Sequence, residues 1–139
     1  MANSTTLFTL PDGRKAVDVT ENKTLAITDC GVVQNVITDA LTITLPATIV
    51  GYAYTIRNGG DNATSTPTRS STDASTIVTV SPNASDMIVG MEVTGANDKD
   101  FVNTKATAQV GDELQLLGDG ASATGWIVQK VKGIWAKQA

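Results

Sequence analysis

Apolar and polar side chains alternate along most of this chain, with the period of two that puts successive residues on opposite faces of a strand. The clearest case is residues 41–58, LTITLPATIVGYAYTIRN. Leu41, Ile43 and Leu45 alternate with Thr42 and Thr44. After a connection at 46–51, Tyr52, Tyr54 and Ile56 share a face opposite Thr55 and Arg57. The pair reads as a hairpin, and those six apolar residues are its predicted core. Shorter runs at 7–10, 15–19, 24–28 and 32–38 precede it. Leu25 and Ile27 are expected on one face of the third run. Runs at 76–80, 86–94, 101–110, 113–117, 125–131 and 133–136 follow. In 86–94, Met87, Val89, Met91 and Val93 fall on one face and Gly90 on the other.

Turn chemistry separates these runs. Pro11-Asp12-Gly13 is the plainest case, since Pro presets φ, Asp bonds nearby backbone and Gly accepts a positive φ. No segment longer than about ten residues has the i, i+3, i+4 apolar spacing of a helix. Short strands divided by turns predict an all-β chain, a single antiparallel β-sandwich or barrel-like domain with an extended N-terminal arm. Residues 1–20 read as the arm and lead-in strands, and 21–139 as the sandwich.

The alternation fails at 59–75, GGDNATSTPTRSSTDAS, which holds almost nothing apolar. A loop this long in a compact domain is usually either functional or disordered. Arg57 and Arg69, at and within it, can make two-pronged bonds to carboxylates and are candidate partner contacts. Trp126 and Trp135 are expected to anchor the sheets. Trp135, between Lys132 and Lys137, is the one placed at an interface.

Composition narrows the chemistry. Aromatics are 4% of the 139 residues, so Val, Ile, Leu and Ala must fill a light core, which favours support from neighbours in an assembly. The net charge is −4 and no Lys/Arg cluster interrupts the sequence, so nucleic acid is not expected as a partner. There is no histidine, which removes the usual general base and the commonest zinc ligand. The single cysteine, Cys30, makes no internal disulfide and reads as a small buried residue. A carboxylate pair is the remaining route to hydrolysis, but the acidic residues sit in turns beside Gly, Asn or Ser. Asn97, Asp98, Asp100 and Asp119 offer oxygens without the spacing of a calcium loop. No catalytic residue, metal or cofactor is expected. The first fifteen residues lack a secretory pattern, and no window is apolar enough to span a membrane, so synthesis in the cytoplasm is expected without membrane association.

Four stretches carry a likeness: TLAITDCGVVQNVITDALTITLPA, GYAYTIRNGG, TIVTVSPNASDMIVG and GDELQLLGDGASATGWIVQKVKGIW. Together they resemble the all-β virion proteins of tailed bacteriophages, most of all capsid decoration (cement) and head-fibre proteins. The resemblance covers residues 24–135. It implies a non-enzymatic structural protein, trimeric, on the outer surface of the virion capsid, made in the host cytoplasm. Its partner would be the major capsid protein, whose subunits it bridges to stabilise the shell. An N-terminal arm of residues 2–10 would then touch the shell, which makes Ala2, Asn3, Thr5, Leu7 and Phe8 candidate contacts. The alternative is a receptor- or sugar-binding module of a phage fibre or tail, which needs an exposed aromatic among Trp126, Trp135, Tyr52 and Tyr54.

Overall fold

The computed structural model describes residues 3–38, 40–60, 78–83, 86–90, 99–103, 109–121 and 125–137. Its strands, in chain order, begin with β1 (Phe8–Thr9), β2 (Lys15–Val19), β3 (Lys23–Thr24), β4 (Val33–Val36), β5 (Leu41–Thr44) and β6 (Ala53–Asn58). They continue with β7 (Val78–Ser81), β8 (Ile88–Val89), β9 (Phe101–Asn103), β10 (Glu113–Gly118), β11 (Trp126–Lys132) and β12 (Ala136–Lys137). One sheet has the order β1-β2-β4-β6-β10-β11-β8 and the other β12-β9-β7-β5-β3. The domain is an all-β sandwich, as the alternation predicts.

The strand directions differ from the antiparallel expectation. From β2 to β7 the chain alternates between sheets, so β2, β4 and β6 lie parallel in one and β3, β5 and β7 parallel in the other. Each strand returns to its own sheet after crossing to the opposite one, which preserves its direction. The pairs that are antiparallel are β1 with β2, β10 with β6 and β11, and β9 with β7 and β12, while β8 lies parallel to β11.

This winding also overturns the hairpin. β5 and β6 occupy opposite sheets, and the connection through Pro46 carries the chain across the sandwich. A hairpin would have set both apolar stripes side by side on one face. Opposed sheets let each stripe cover the other. Leu41, Ile43, Leu45, Tyr54 and Ile56 are all buried in one core with Val36, Val80, Phe101, Leu116 and both tryptophans. Tyr52 is half-buried and meets Tyr54 edge-on, the ring centres 6.2 Å apart.

Two local expectations change as well. After Thr24 the chain turns into a short 3-10 segment, Ile27–Asp29, closed by the Asp29 carboxylate accepting from the Ala26 N–H at 2.9 Å. Leu25 is therefore buried while Ile27 is exposed. At β8 the parity is reversed: Ile88 enters the core and Met87 and Val89 are only partly covered. Met91 and Val93 lie outside the described residues. Of the lead-in strands expected within residues 1–20, β2 is an interior strand of the larger sheet and β1 its edge.

The N-terminal stretch folds back on the domain. Asn3 Oδ1 accepts from the N–H groups of Thr20 and Glu21 at 2.7 and 3.0 Å, which clamps the crossing from β2 to β3. β1 pairs with β2, and the turn at 11–13 closes with Gly13 N–H donating to Leu10 O at 2.8 Å. Leu10 then packs on the apolar surface formed by Ala16 and Val33, with Phe8 at its margin. Parallel strands normally need cover on both faces. Residues 8–14 supply that cover for β2 and β4, whose second to last positions are all buried.

Candidate functional site

The outer face of the larger sheet carries one row of polar residues across five strands. In register, Asp18 on β2 is beside Asn35 on β4, Asn35 beside Arg57 on β6, Arg57 beside Glu113 on β10, and Glu113 beside Lys132 on β11. Side chains link along it. Asn35 Nδ2 donates to Asp18 Oδ1 at 3.0 Å, and Arg57 Nη1 donates to Asn35 Oδ1 at 2.7 Å. The row runs from full burial at Asn35, against Gly59, to open solvent at Lys132.

That gradient makes a cleft of about 540 Å³, open on its solvent side. The turn containing Leu10, Asp12 and Arg14 forms one wall and Lys130 with Lys132 the other, while Arg57, Glu113 and Gln115 make the floor. Arg14 ties wall to floor: its Nε donates to Asp12 Oδ2 at 2.7 Å, and its Nη2 pairs with Glu113 Oε1. Burial works against the Arg14 charge, but the bonds to Glu113 and Asp12 outweigh it and raise the guanidinium pKa. The Arg14 backbone N–H, assisted by the Arg14 and Arg57 charges, holds Asp12 below the usual carboxylate range. One guanidinium thus engages both carboxylates. Lys130 and Lys132 have no ion-pair partner among the described residues.

The lysine wall is firmly placed. Trp135 Nε1 donates to Lys132 O at 3.1 Å, and Gly133 follows with φ +89° against the Asp112 carboxylate, where a Cβ would collide. Asp112 belongs to a buried network joining the two sheets. Its Oδ2 accepts from Asn103 Nδ2 at 3.1 Å, and Asn103 Oδ1 accepts from Asn58 Nδ2 at 2.8 Å.

Two further rows complete the outer face. Thr55, Gln115 and Lys130 are in register next to the charged row, and Ala53, Leu117 and Ile127 come after them. Leu117 and Ile127 are 36% and 38% exposed, and Ile49 and Val50 extend the apolar end. Gly118 and Gly120 lie against Ile49 and Val50. The face therefore grades from cationic to apolar over three rows.

Of the residues singled out from sequence, Arg57 lies in this cleft. Thr5 and Leu7 line a separate groove of about 280 Å³ with Lys23 and Asp29, and Asn3 and Phe8 are spent on holding the N-terminal stretch to its own domain. Trp135 is placed in the core, 4% exposed, rather than at a contact surface. Ala2, Arg69 and the 61–75 part of the polar loop lie outside the described residues. Cys30 is half-buried against the core. Sequence reading missed Arg14, Glu113, Lys130 and Lys132, because five strands must be aligned before they meet. The one available signal was that Glu113, Gln115 and Leu117 alternate on β10.

No protein-family model, no curated protein and no solved structure matches this chain. The likeness to virion proteins therefore stands on the quoted residues. Chemically, the cleft suits holding an anion.

Proposed function

We propose that this chain is a non-enzymatic structural protein that binds the outer surface of a phage capsid and bridges its subunits. The outer face of β6, β10 and β11 is the docking surface. The observation that carries this reading is that face itself: three ordered rows, cationic at one end and apolar at the other, with the N-terminal turn reaching over it at Glu113 and Lys130, Lys132, Leu117 and Ile127 exposed. An interface needs apolar contact at its centre and charge complementarity for register.

The sheet edges favour a face over strand addition. The described edge strands β1, β8, β12 and β3 are two residues each, too short to template a long added strand. The sugar-binding alternative is less well supported: Trp126, Trp135 and Tyr54 are buried, which leaves Tyr52 as the one half-exposed ring among its four candidates.

The test is co-sedimentation of the purified chain with assembled shells of its own virus and, separately, with unassembled capsid subunits. Saturable binding to shells with little to free subunits is expected. Equal affinity for both, or none for shells, overturns the reading. Light scattering of the free protein checks the trimer that the resemblance implies.

A further inference from the structure

We infer that the cleft between the N-terminal turn and β11 recognises an acidic peptide segment, with carboxylates at one end and an apolar side chain at the other. The inference rests on reading this face as a contact surface, and it names what the face contacts.

Charge is the first argument. Although the chain carries four more acidic than basic residues, four cationic side chains from three separate elements converge here: Arg14 from the N-terminal turn, Arg57 from β6, and Lys130 and Lys132 from β11. Arg14 is occupied by Asp12 and Glu113. Asp18 lies behind Asn35, and Asp112 turns inward to Asn103. The Lys132 ammonium and Arg57 Nη2 both come within 4 Å of one point beside Gly111, so two positive charges flank a single small site. A carboxylate there meets the positive charges of Arg57 and Lys132 together.

Shape is the second. A small-molecule site encloses most of its ligand, whereas this cleft stays open and continues along the sheet. From the row of Lys132 to that of Ile127 is two row spacings, roughly 13 Å at about 3.4 Å per residue. That is the reach of an extended segment of about four residues. Gln115 and Thr55 offer polar contacts midway, and Leu117 with Ile127 an apolar seat at the far end. A nucleic-acid strand fits less well, since its continuous charge meets Asp12 and Glu113 in the cleft and an apolar surface beyond it.

The test is an amide NMR titration of the full chain with an extended peptide, acetyl-Leu-Ser-Ser-Asp-Glu-amide. A matched peptide with Asn-Gln in place of Asp-Glu, and inorganic phosphate, are titrated in parallel. Shifts centred on Lys130, Lys132, Gln115, Leu117 and Ile127 are expected, about tenfold weaker in affinity for the Asn-Gln peptide and for the K130E/K132E variant. Both lysines are exposed, so a melting curve like that of the parent should confirm that the variant folds. Equal binding of both peptides, shifts elsewhere, or phosphate giving the same shifts at the same concentration overturns the assignment. The shell assay separates the two readings. If K130E/K132E loses the peptide but keeps the shell, the cleft is not the docking site while capsid binding stands. If the parent binds the peptide but no shell, the cleft stands and the capsid reading falls.

Discussion

Tyr54 shows how one side chain serves both packing and a polar bond. Its ring is 1% exposed and lies 5.4 Å from Trp126, and its hydroxyl donates to Ala26 O at 2.9 Å. Burial raises the phenol pKa well above its ordinary value. The native state therefore holds its proton where the unfolded chain, with a pKa of about 10, gives it up. Above that pH the unfolded state binds fewer protons, so stability falls as pH rises. Tyr54→Phe should cost about 0.5–1.5 kcal/mol at neutral pH through the lost hydrogen bond. The gap between parent and variant should narrow above about pH 10, because the variant has no phenol to ionise. Urea midpoints across that range measure both effects. A gap that is constant with pH would mean the phenol is not shielded in the fold.

At the scale of elements, the N-terminal stretch acts as a cover for β2 and β4. Leu10 is 3% exposed and sits on Ala16 and Val33, a small cluster apart from the main core. Leu10→Ala should cost about 2–3 kcal/mol, near the low end for a buried leucine because surface turns relax more easily than cores. It should also loosen Arg14 and so the cleft wall; thermal melts and the NMR signals of Lys130 and Lys132 read the two consequences separately. A melt unchanged within about 0.5 kcal/mol would show that the cover is dispensable. The cover also explains what the sequence made legible. Where a strand is buried on one face, as in Leu41 to Thr44, alternation reveals it directly. β4 has cover on both faces, and its Val33, Gln34, Asn35 and Val36 are all buried, so alternation no longer separates inside from outside. Strand direction was less legible still, since a hairpin and a crossing share one pattern of apolar residues. The cleft lay furthest from view, because Arg14, Arg57, Glu113 and Lys132 become neighbours only through pairings between distant segments.

Those pairings set how the whole molecule folds. Parallel ladders join Ala16 to Val33 and Leu41 to Val78, so loops must close before any ladder bond forms. Domains dominated by such contacts fold in milliseconds to seconds. The network of Asn58, Asn103 and Asp112 joins β6, β9 and the turn before β10, and Asn103 also donates to Ile134 O at 3.0 Å. Four segments must be in place before it is complete, which puts its formation after the main folding barrier. Asn103 is fully buried, so Asn103→Ala leaves the Asp112 carboxylate and the Asn58 amide each short of a partner. The cost should be about 1–3 kcal/mol. A contact absent from the transition state changes unfolding rather than folding. Stopped-flow chevrons should show the unfolding arm faster by roughly five- to 150-fold with the refolding arm unmoved. If refolding slows instead, the two sheets are locked together early, and the parallel windings close around an already formed polar link.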